Sequence, residues 1–522
     1  MTTTLVNIHP ESPWAYRDEP IIVGKDILEV LSSAMYVDPL AIYREYVQNA
    51  ADAIDEAHRQ GVLAAHECGT VEFQIDPEKR VVRIRDNGIG ISSSEFESRM
   101  TAFGASTKRG TNARGFRGVG RLSGLAYCQE LLFRTRSSGE PFVSELRWDG
   151  RKAKALLRSA DFTGDLGVVV SQSVQVRRRN NKSDPDHFFE VEMRGVSRLR
   201  NDWLLNPAVI EEYLAQVAPL PFCPKFKFAG DIAALLKNDA GLTNIMLKVA
   251  GNTSPTFRPH RDSFDTAGGT DNFQELQSVR IPASDGGTAA IGWVLHHGYK
   301  GAVPNSTLKG LRLRSGNIQV GGNSILEDLF TETRFNSWCV GEIHVVDSRI
   351  IPNGRRDQYE QNVHYTNLIN HLSPVAREIS TRCRQSSIRR NALRQFEREH
   401  DQLQHNFEIM KQGSLSAPER QVFANQVQQL LLSMENALKK EALRSEMNTL
   451  GPLVIKLWRD FNKVSEKEYQ AKALARLSPR ERRAYEQVFA LLYECSQDKC
   501  QTKLLIDRVL ARIARNHRKN GN

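Results

Sequence analysis

No run of about 18 consecutive apolar residues occurs in the 522-residue chain, so no segment reads as a membrane-spanning helix. Met1 to Trp14 shows no basic stretch leading into an apolar one, and a cytoplasmic protein with no membrane partner is expected. Cysteine is scarce and scattered. The seven residues, Cys68, Cys128, Cys223, Cys339, Cys383, Cys495 and Cys500, are odd in number and form no C-x-x-C pair, which argues against a disulfide framework and a zinc site. Long low-complexity tracts and fixed-period repeats are absent as well. What remains is ordinary globular composition, 40% hydrophobic and 25% charged, in a chain long enough for about three domains.

Charge is distributed unevenly. The net +10 resides in the C-terminal region, where about 28 Lys and Arg face about 17 Asp and Glu from His371 onward. Three patterns divide the chain. Residues 1–230 alternate helical and strand-like segments, with a hairpin expected from Val71–Asp76 and Arg80–Arg85 around Asp76-Pro77-Glu78-Lys79. Further strands are expected at Leu131–Thr135, Phe142–Trp148, Gly167–Val176 and Phe188–Met193, with helices at Gly24–Ser33 and Pro39–Gln60 covering one face. Residues 231–373 form a second mixed unit, opening on a connecting stretch from Asp231 to Leu247, and 374–522 read as a basic helical domain. The fold class is α+β. Capping boxes at Ser416-Ala417-Pro418-Glu419 and Ser478-Pro479-Arg480-Glu481 mark two helix starts. Ile379, Ile388, Phe396, Leu403 and Phe407 are candidates for core or dimer contacts.

Three segments carry candidate chemistry. Asp38-Pro39 reads as an N-cap and first helical residue, and the helix that follows places Glu45, Asn49, Asp52 and Ala53 on one stripe. Asp86-Asn87-Gly88-Ile89-Gly90 follows a strand directly and alone would read as a turn. Gly115-Phe116-Arg117-Gly118-Val119-Gly120 offers backbone amides that can approach phosphates, yet matches neither the Walker sequence nor a Rossmann turn.

In this order and spacing the segments resemble the gyrase, heat-shock protein 90, histidine-kinase and MutL ATPase superfamily, with the heat-shock protein 90 branch the most similar. The resemblance implies a Bergerat-type α/β sandwich over 1–230 that binds ATP with Mg²⁺. It implies that Asp86 accepts a hydrogen bond from the adenine amino group, that Gly88 and Gly90 let the base approach, and that Asn49 offers its amide oxygen to Mg²⁺. Glu45 would orient or deprotonate water. Asp52 and Ala53 would support the pocket, and Gly115, Gly118, Val119 and Gly120 would surround the phosphates. Ser106 and Lys108 would lie in a lid from about Gly104 to Ala113. One expected element departs from the family pattern: where a threonine helps to bind adenine, this chain has phenylalanine in Phe189-Glu190-Val191-Glu192-Met193.

Leu311–Gly321, Trp338–Ser348 and Ile351-Pro352-Asn353-Gly354-Arg355-Arg356-Asp357 resemble the transducer domain of heat-shock protein 90, in which an arginine of a catalytic loop reaches the γ-phosphate. Either Arg355 or Arg356 would fill that role; a surface Arg-Arg pair in a turn is the plain alternative. Only about 20 residues precede the first expected helix, which disfavours a histidine kinase. Asp184-Pro185-Asp186 is a poor metal module for a gyrase-type enzyme. The resemblance leaves two functions open: a homodimeric chaperone-like clamp acting on a protein client, or a microrchidia-like clamp that engages nucleic acid through the basic C-terminal region.

Overall fold

The computed structural model describes residues 24, 38–102, 120–159, 161–162, 164–180, 183–240, 242–250, 254–467 and 469–519. The expected first helix, Gly24–Ser33, falls outside these residues apart from Gly24. The lid residues Ser106 and Lys108, and Gly115, Gly118 and Val119, fall outside them entirely. Two compact units emerge, 1–380 and 381–522.

The first unit opens with helix α1 (Ala41–Arg59), which buries Ile42, Tyr43, Tyr46, Val47, Ala50, Ala51, Ile54 and Ala57 along one face. It starts later than Asp38-Pro39 suggests. The Asp38 carboxylate instead accepts from the Leu40 amide at 3.0 Å, so the aspartate caps the turn before the helix. The hairpin forms as expected from β1 (Thr70–Asp76) and β2 (Val81–Asp86). Arg80, in the left-handed region at φ 56°, closes its turn. A short helix α2 (Phe96–Thr101) precedes β3 (Glu130–Arg136) and β4 (Val143–Asp149), and α3 (Gly150–Arg158) is capped by Asp149.

Gly167–Val176 departs from expectation. Its first part is helix α4 (Leu166–Ser173), and only then does strand β5 (Val174–Arg179) begin. The Asp165 side chain accepts from the Val168 amide at 3.0 Å, and Val169 is buried with Ala153 of α3. A cap and a tertiary contact here override the strand preference of three valines. Strand β6 (Phe188–Arg194) and helix α5 (Pro207–Val217) follow, and helix α6 (Ala229–Ala240) occupies much of the expected connecting stretch.

Strand β7 (Met246–Val249) returns to the first sheet and runs parallel to β1, giving the strand order β5-β4-β3-β6-β2-β1-β7. One face of this sheet packs on α1 and α5. The other carries a ladder of charge: Arg134 bonds Glu190 at 3.0 Å, Asp184 at 2.9 Å and Glu145 at 3.2 Å, and Arg85 bonds Glu190 at 2.6 Å. Asp184 is thereby committed to arginine.

A two-stranded ribbon, β8 (Ser263–Thr266) and β9 (Gly269–Asn272), leads to the second sheet. That sheet contains β10 (Glu275–Pro282), β11 (Thr288–His296), β12 (Gly310–Ser315), β13 (Ile318–Val320) and β14 (Val340–Val345), in the order β10-β11-β14-β12-β13. Trp293 and Leu295 of β11 pack with Phe222, Phe226, Phe228 and Ile232.

Glu342 of β14 lies at the junction between the two sheets. Its carboxylate accepts from Arg314 Nε at 2.8 Å and from Arg258 Nη1, and the side chains of all three are almost fully buried. Arg314 also donates to Gln216 O at 2.5 Å and Ala218 O at 3.2 Å, carbonyls at the C-terminal end of α5, where a cation is favoured. Arg258 reaches Leu220 O at 2.7 Å. The paired guanidiniums hold the Glu342 carboxyl well below its usual range despite its burial.

Helix α7 (Val363–Gln412) contributes residues to both units. In the second unit it is followed by α8 (Ala417–Lys439), α9 (Met447–Glu466), α10 (Pro479–Cys495) and α11 (Lys499–Lys519). Both expected capping boxes are present, at Ser416/Glu419 and Ser478/Glu481. Phe396, Leu403 and Phe407 enter this unit's core with Val427, Leu431 and Leu457; Ile379 is buried in the first unit, whereas Ile388 is 52% exposed.

Removing one member of the junction strands the others. Glu342→Ala leaves Arg258 and Arg314 buried without their shared anion and is expected to destabilise the first unit by about 3–5 kcal/mol in urea unfolding. A loss below about 1 kcal/mol would mean that the guanidiniums find other partners.

Candidate nucleotide site

The site is built on α1 and on the loop that leaves β2. Glu45 is buried; Asn49, one turn on, is half-buried; Asp52 is buried and Ala53 half-buried. Asp86 ends β2 with its carboxylate buried, accepting from the Gly88 amide at 2.9 Å. Burial pushes the Asp86 carboxyl up to about 7, against the pull of the Gly88 and Phe189 amides.

Each described glycine of the site is a close approach. A Cβ on Gly88 would lie 2.7 Å from the Ala53 methyl, and one on Gly90, at φ +71°, would lie 2.0 Å from the Arg136 carbonyl. At Gly120 a Cβ would stand 2.5 Å from Glu45 Oε2, so the one described glycine of the third motif abuts the carboxylate expected to handle water. Ile89 N donates to Ala53 O at 3.1 Å and binds loop to helix.

Several residues without an expected role hold this arrangement. Thr135 Oγ1 accepts from Ile91 N and donates to Phe188 O, both at 2.9 Å. His187 Nδ1 pairs with Gly88 O at 2.9 Å, and the Tyr46 hydroxyl accepts from Gly124 N at 3.0 Å. Thr135 and His187 lie far from the motifs in sequence, so only strand pairing could have found them. Tyr46 sits inside the first motif, beside the polar stripe.

The loop following β14 reaches the same helix. Arg44 Nη2 donates to Arg355 O at 3.0 Å, and Arg356 Nε lies 3.9 Å from Glu45 Oε1, both side chains being buried. Arg355 itself is exposed. Arg356 adopts φ 56°, and its carbonyl accepts from Gly321 N at 2.8 Å, which ties the loop to the end of β13. Burial lowers the guanidinium's affinity for its proton, while the charges of Glu45 and Asp52 oppose that. The geometry therefore distinguishes the two arginines: Arg356 faces the carboxylates, and Arg355 contributes a backbone carbonyl.

Among the described residues no group of three or more His, Cys, Asp or Glu could hold a metal ion. Asn49 is a half-buried oxygen donor one turn from Glu45. That single amide fits an ion such as Mg²⁺, which takes most of its ligands from phosphates and water.

The position of Asp86 has a consequence for stability. With its folded value near 7 and its unfolded value near 4, the native state binds more protons than the unfolded chain between those limits, so this group lowers stability as pH rises through that window. Without nucleotide, Asp86→Asn should therefore be more stable than the parent at pH 8, on the order of a few kcal/mol, and the advantage should vanish toward pH 4. Equal thermal unfolding of both proteins across pH 4–8 would show that the carboxylate is not desolvated.

Comparison with known proteins bears on the same residues. Residues 41–162 match a family model described as histidine kinase-, DNA gyrase B-, and HSP90-like ATPase. The chain is similar to the chaperone protein HtpG of Geobacter metallireducens, at 22% identity over 205 residues, covering 36% of this chain and 31% of that protein. It is similar also to those of Burkholderia cenocepacia, at 26% over 205 residues (36% and 32%), and Nitrosomonas eutropha, at 28% over 206 residues (36% and 31%). It thus spans about a third of the length of the curated relatives it matches. No helix among the described residues is long and apolar enough to cross a membrane. Residues 41–162 therefore form a domain of the histidine kinase-, DNA gyrase B- and HSP90-like ATPase type, within a chain similar in sequence to heat-shock protein 90-type chaperones.

Proposed function

We propose that the chain binds and hydrolyses ATP and uses the cycle as a conformational clamp, as a homodimer acting on a protein client. The observation that carries this reading is the approach of Arg356 to Glu45 across 311 residues of sequence, at 3.9 Å and in a buried setting. A guanidinium there is suited to stabilise charge on a transferring γ-phosphoryl group, and Glu45 to orient or deprotonate the attacking water. Asp86 accepts from the adenine amino group. Gly88 and Gly90 keep the backbone close to the base, and Gly120, beside Glu45, brings its backbone to the phosphates. Asn49 holds Mg²⁺, which supplies neutralising charge to the phosphates when bound. Residues 1–230, 231–373 and 374–522 serve as nucleotide, transducer and helical domains of this clamp, with β7 returned to the first sheet.

A second reading rests on the basic C-terminal region: a microrchidia-like clamp acting on nucleic acid. A salt titration separates the two. Binding of the intact chain to duplex DNA that weakens linearly in log[salt] favours the second reading, and absence of binding at low salt removes it.

Glu45→Ala should keep ATP affinity and lower turnover by roughly 10²–10⁴-fold. Arg356→Ala should depress turnover strongly with ADP affinity unchanged, whereas Arg355→Ala, which keeps the carbonyl, should turn over near the parent rate. Asp86→Asn should lose ATP binding in calorimetry. Parent-level turnover in Arg356→Ala would remove the transducer role.

A further inference from the structure

The face of the first sheet that packs on α1 is closed along most of β6. Val191 is 3% exposed and Met193 0%, but Phe189, two residues nearer the strand's start on the same face, is only half-buried. The cover over the sheet therefore thins at this residue. Its neighbours are known from the register. Phe189 pairs with Asp86 of β2 on one side and with Thr135 of β3 on the other, and side chains directly opposite one another in an antiparallel sheet share a face. The Phe189 ring lies 6.0 Å from that of Phe133, which holds it against the core on the face shared with Asp86 and Thr135.

Among the described residues, the polar groups beside Phe189 on this face are few. The Thr135 hydroxyl already accepts from Ile91 N and donates to Phe188 O, which uses its one proton. His187 Nδ1 is engaged with Gly88 O. Asp86 retains acceptor capacity beyond the Gly88 and Phe189 amides, since an ionised carboxylate offers about four lone-pair sites. A planar ligand entering here meets one buried acceptor and one aromatic ring.

We propose that Phe189 is a base-binding residue of the nucleotide site: its ring forms the apolar wall against which any purine lies, while Asp86 reads the amino group. This inference rests on the ATP-binding reading above and adds how the base is recognised. The two roles separate by chemistry. Asp86 distinguishes a base with an exocyclic amino donor from one without it, whereas Phe189 contributes to every purine through its ring.

The test uses the full chain with ATP and with purine riboside triphosphate, which lacks the amino group. Phe189→Leu keeps apolar volume but removes the ring, and is expected to weaken both ligands by the same factor, roughly five- to tenfold, the loss typical of a base deprived of an aromatic partner. Phe189→Tyr, which retains the ring, should bind both within about twofold of the parent. Asp86→Asn should weaken ATP far more than the riboside. Thermal unfolding of each variant confirms a folded chain. If Phe189→Leu binds both ligands as the parent does, or Phe189→Tyr binds as poorly as Phe189→Leu, the ring is not the wall and the inference falls with ATP binding intact. A parent chain that binds neither triphosphate overturns the nucleotide reading itself.

Discussion

The Glu342 carboxylate is the fixed point on which the first unit is assembled. Two guanidiniums, Arg258 and Arg314, converge on it from a loop and from β12, and each carries a second set of bonds to backbone carbonyls at or just beyond the end of α5. An anion this deeply buried is sustained only by such pairing. The arrangement converts a charge requirement into a spatial one: α5 belongs to the core beneath the first sheet, Glu342 belongs to the second, and neither arginine can be satisfied unless both are in place. The strand that carries Glu342 ends three residues later and leads into the loop of Arg355 and Arg356. The ion pair and the loop that brings Arg356 to Glu45 thus belong to one continuous segment.

Around Glu45 the charges are arranged differently. Arg44 Nη2 lies 3.4 Å from Glu45 Oε1, and Arg356 approaches the same oxygen, so two cations flank one carboxylate instead of sharing it tightly. At 3.9 Å the Arg356 contact is long for a charge-assisted hydrogen bond. Arg44 serves both sides of this arrangement, meeting Glu45 directly and the catalytic-loop candidate through the Arg355 carbonyl.

The parts of this molecule legible in the sequence are those governed by local rules. The capping boxes at Ser416 and Ser478, the hairpin from Thr70 to Asp86 and the stripe of α1 each follow from residues within one or two turns of one another. The turn from Asp165 into α4 was hidden because a valine run favours strand, and only the cap together with the burial of Val169 tips it to helix. β7 was hidden for another reason: a four-residue segment does not reveal which sheet it will join, and pairing with β1 is decided across about 175 residues. The triad of Arg258, Arg314 and Glu342 has no sequence signature at all, since its spacing reflects only where three separate segments meet. Arg355 and Arg356 could be named together from their motif, but the choice between them depends on a left-handed backbone at Arg356 that no neighbouring residue announces.

The two ends of the candidate site differ in a way that bears on ligand choice. At the α1 end, the carboxylates of Glu45 and Asp52 stand beside Arg44 and Arg356, so the local charge is balanced before any ligand arrives. At the β2 end, Asp86 has two backbone amides and, among the described residues, no cation to relieve its burial, which pushes its carboxyl up to about 7. A neutral donor such as an amino group on an aromatic base supplies what that carboxylate lacks without adding a charge to an apolar setting, and its binding favours the ionised form. A cation would fit Asp86 electrostatically, but it would meet the half-open ring of Phe189 and the committed hydroxyl of Thr135, which provide none of the further oxygens that a metal ion requires. The strand end is therefore suited to a flat, neutral, amino-bearing ligand, whereas the balanced helix end would take phosphate charge only together with a cation such as the Mg²⁺ proposed at Asn49.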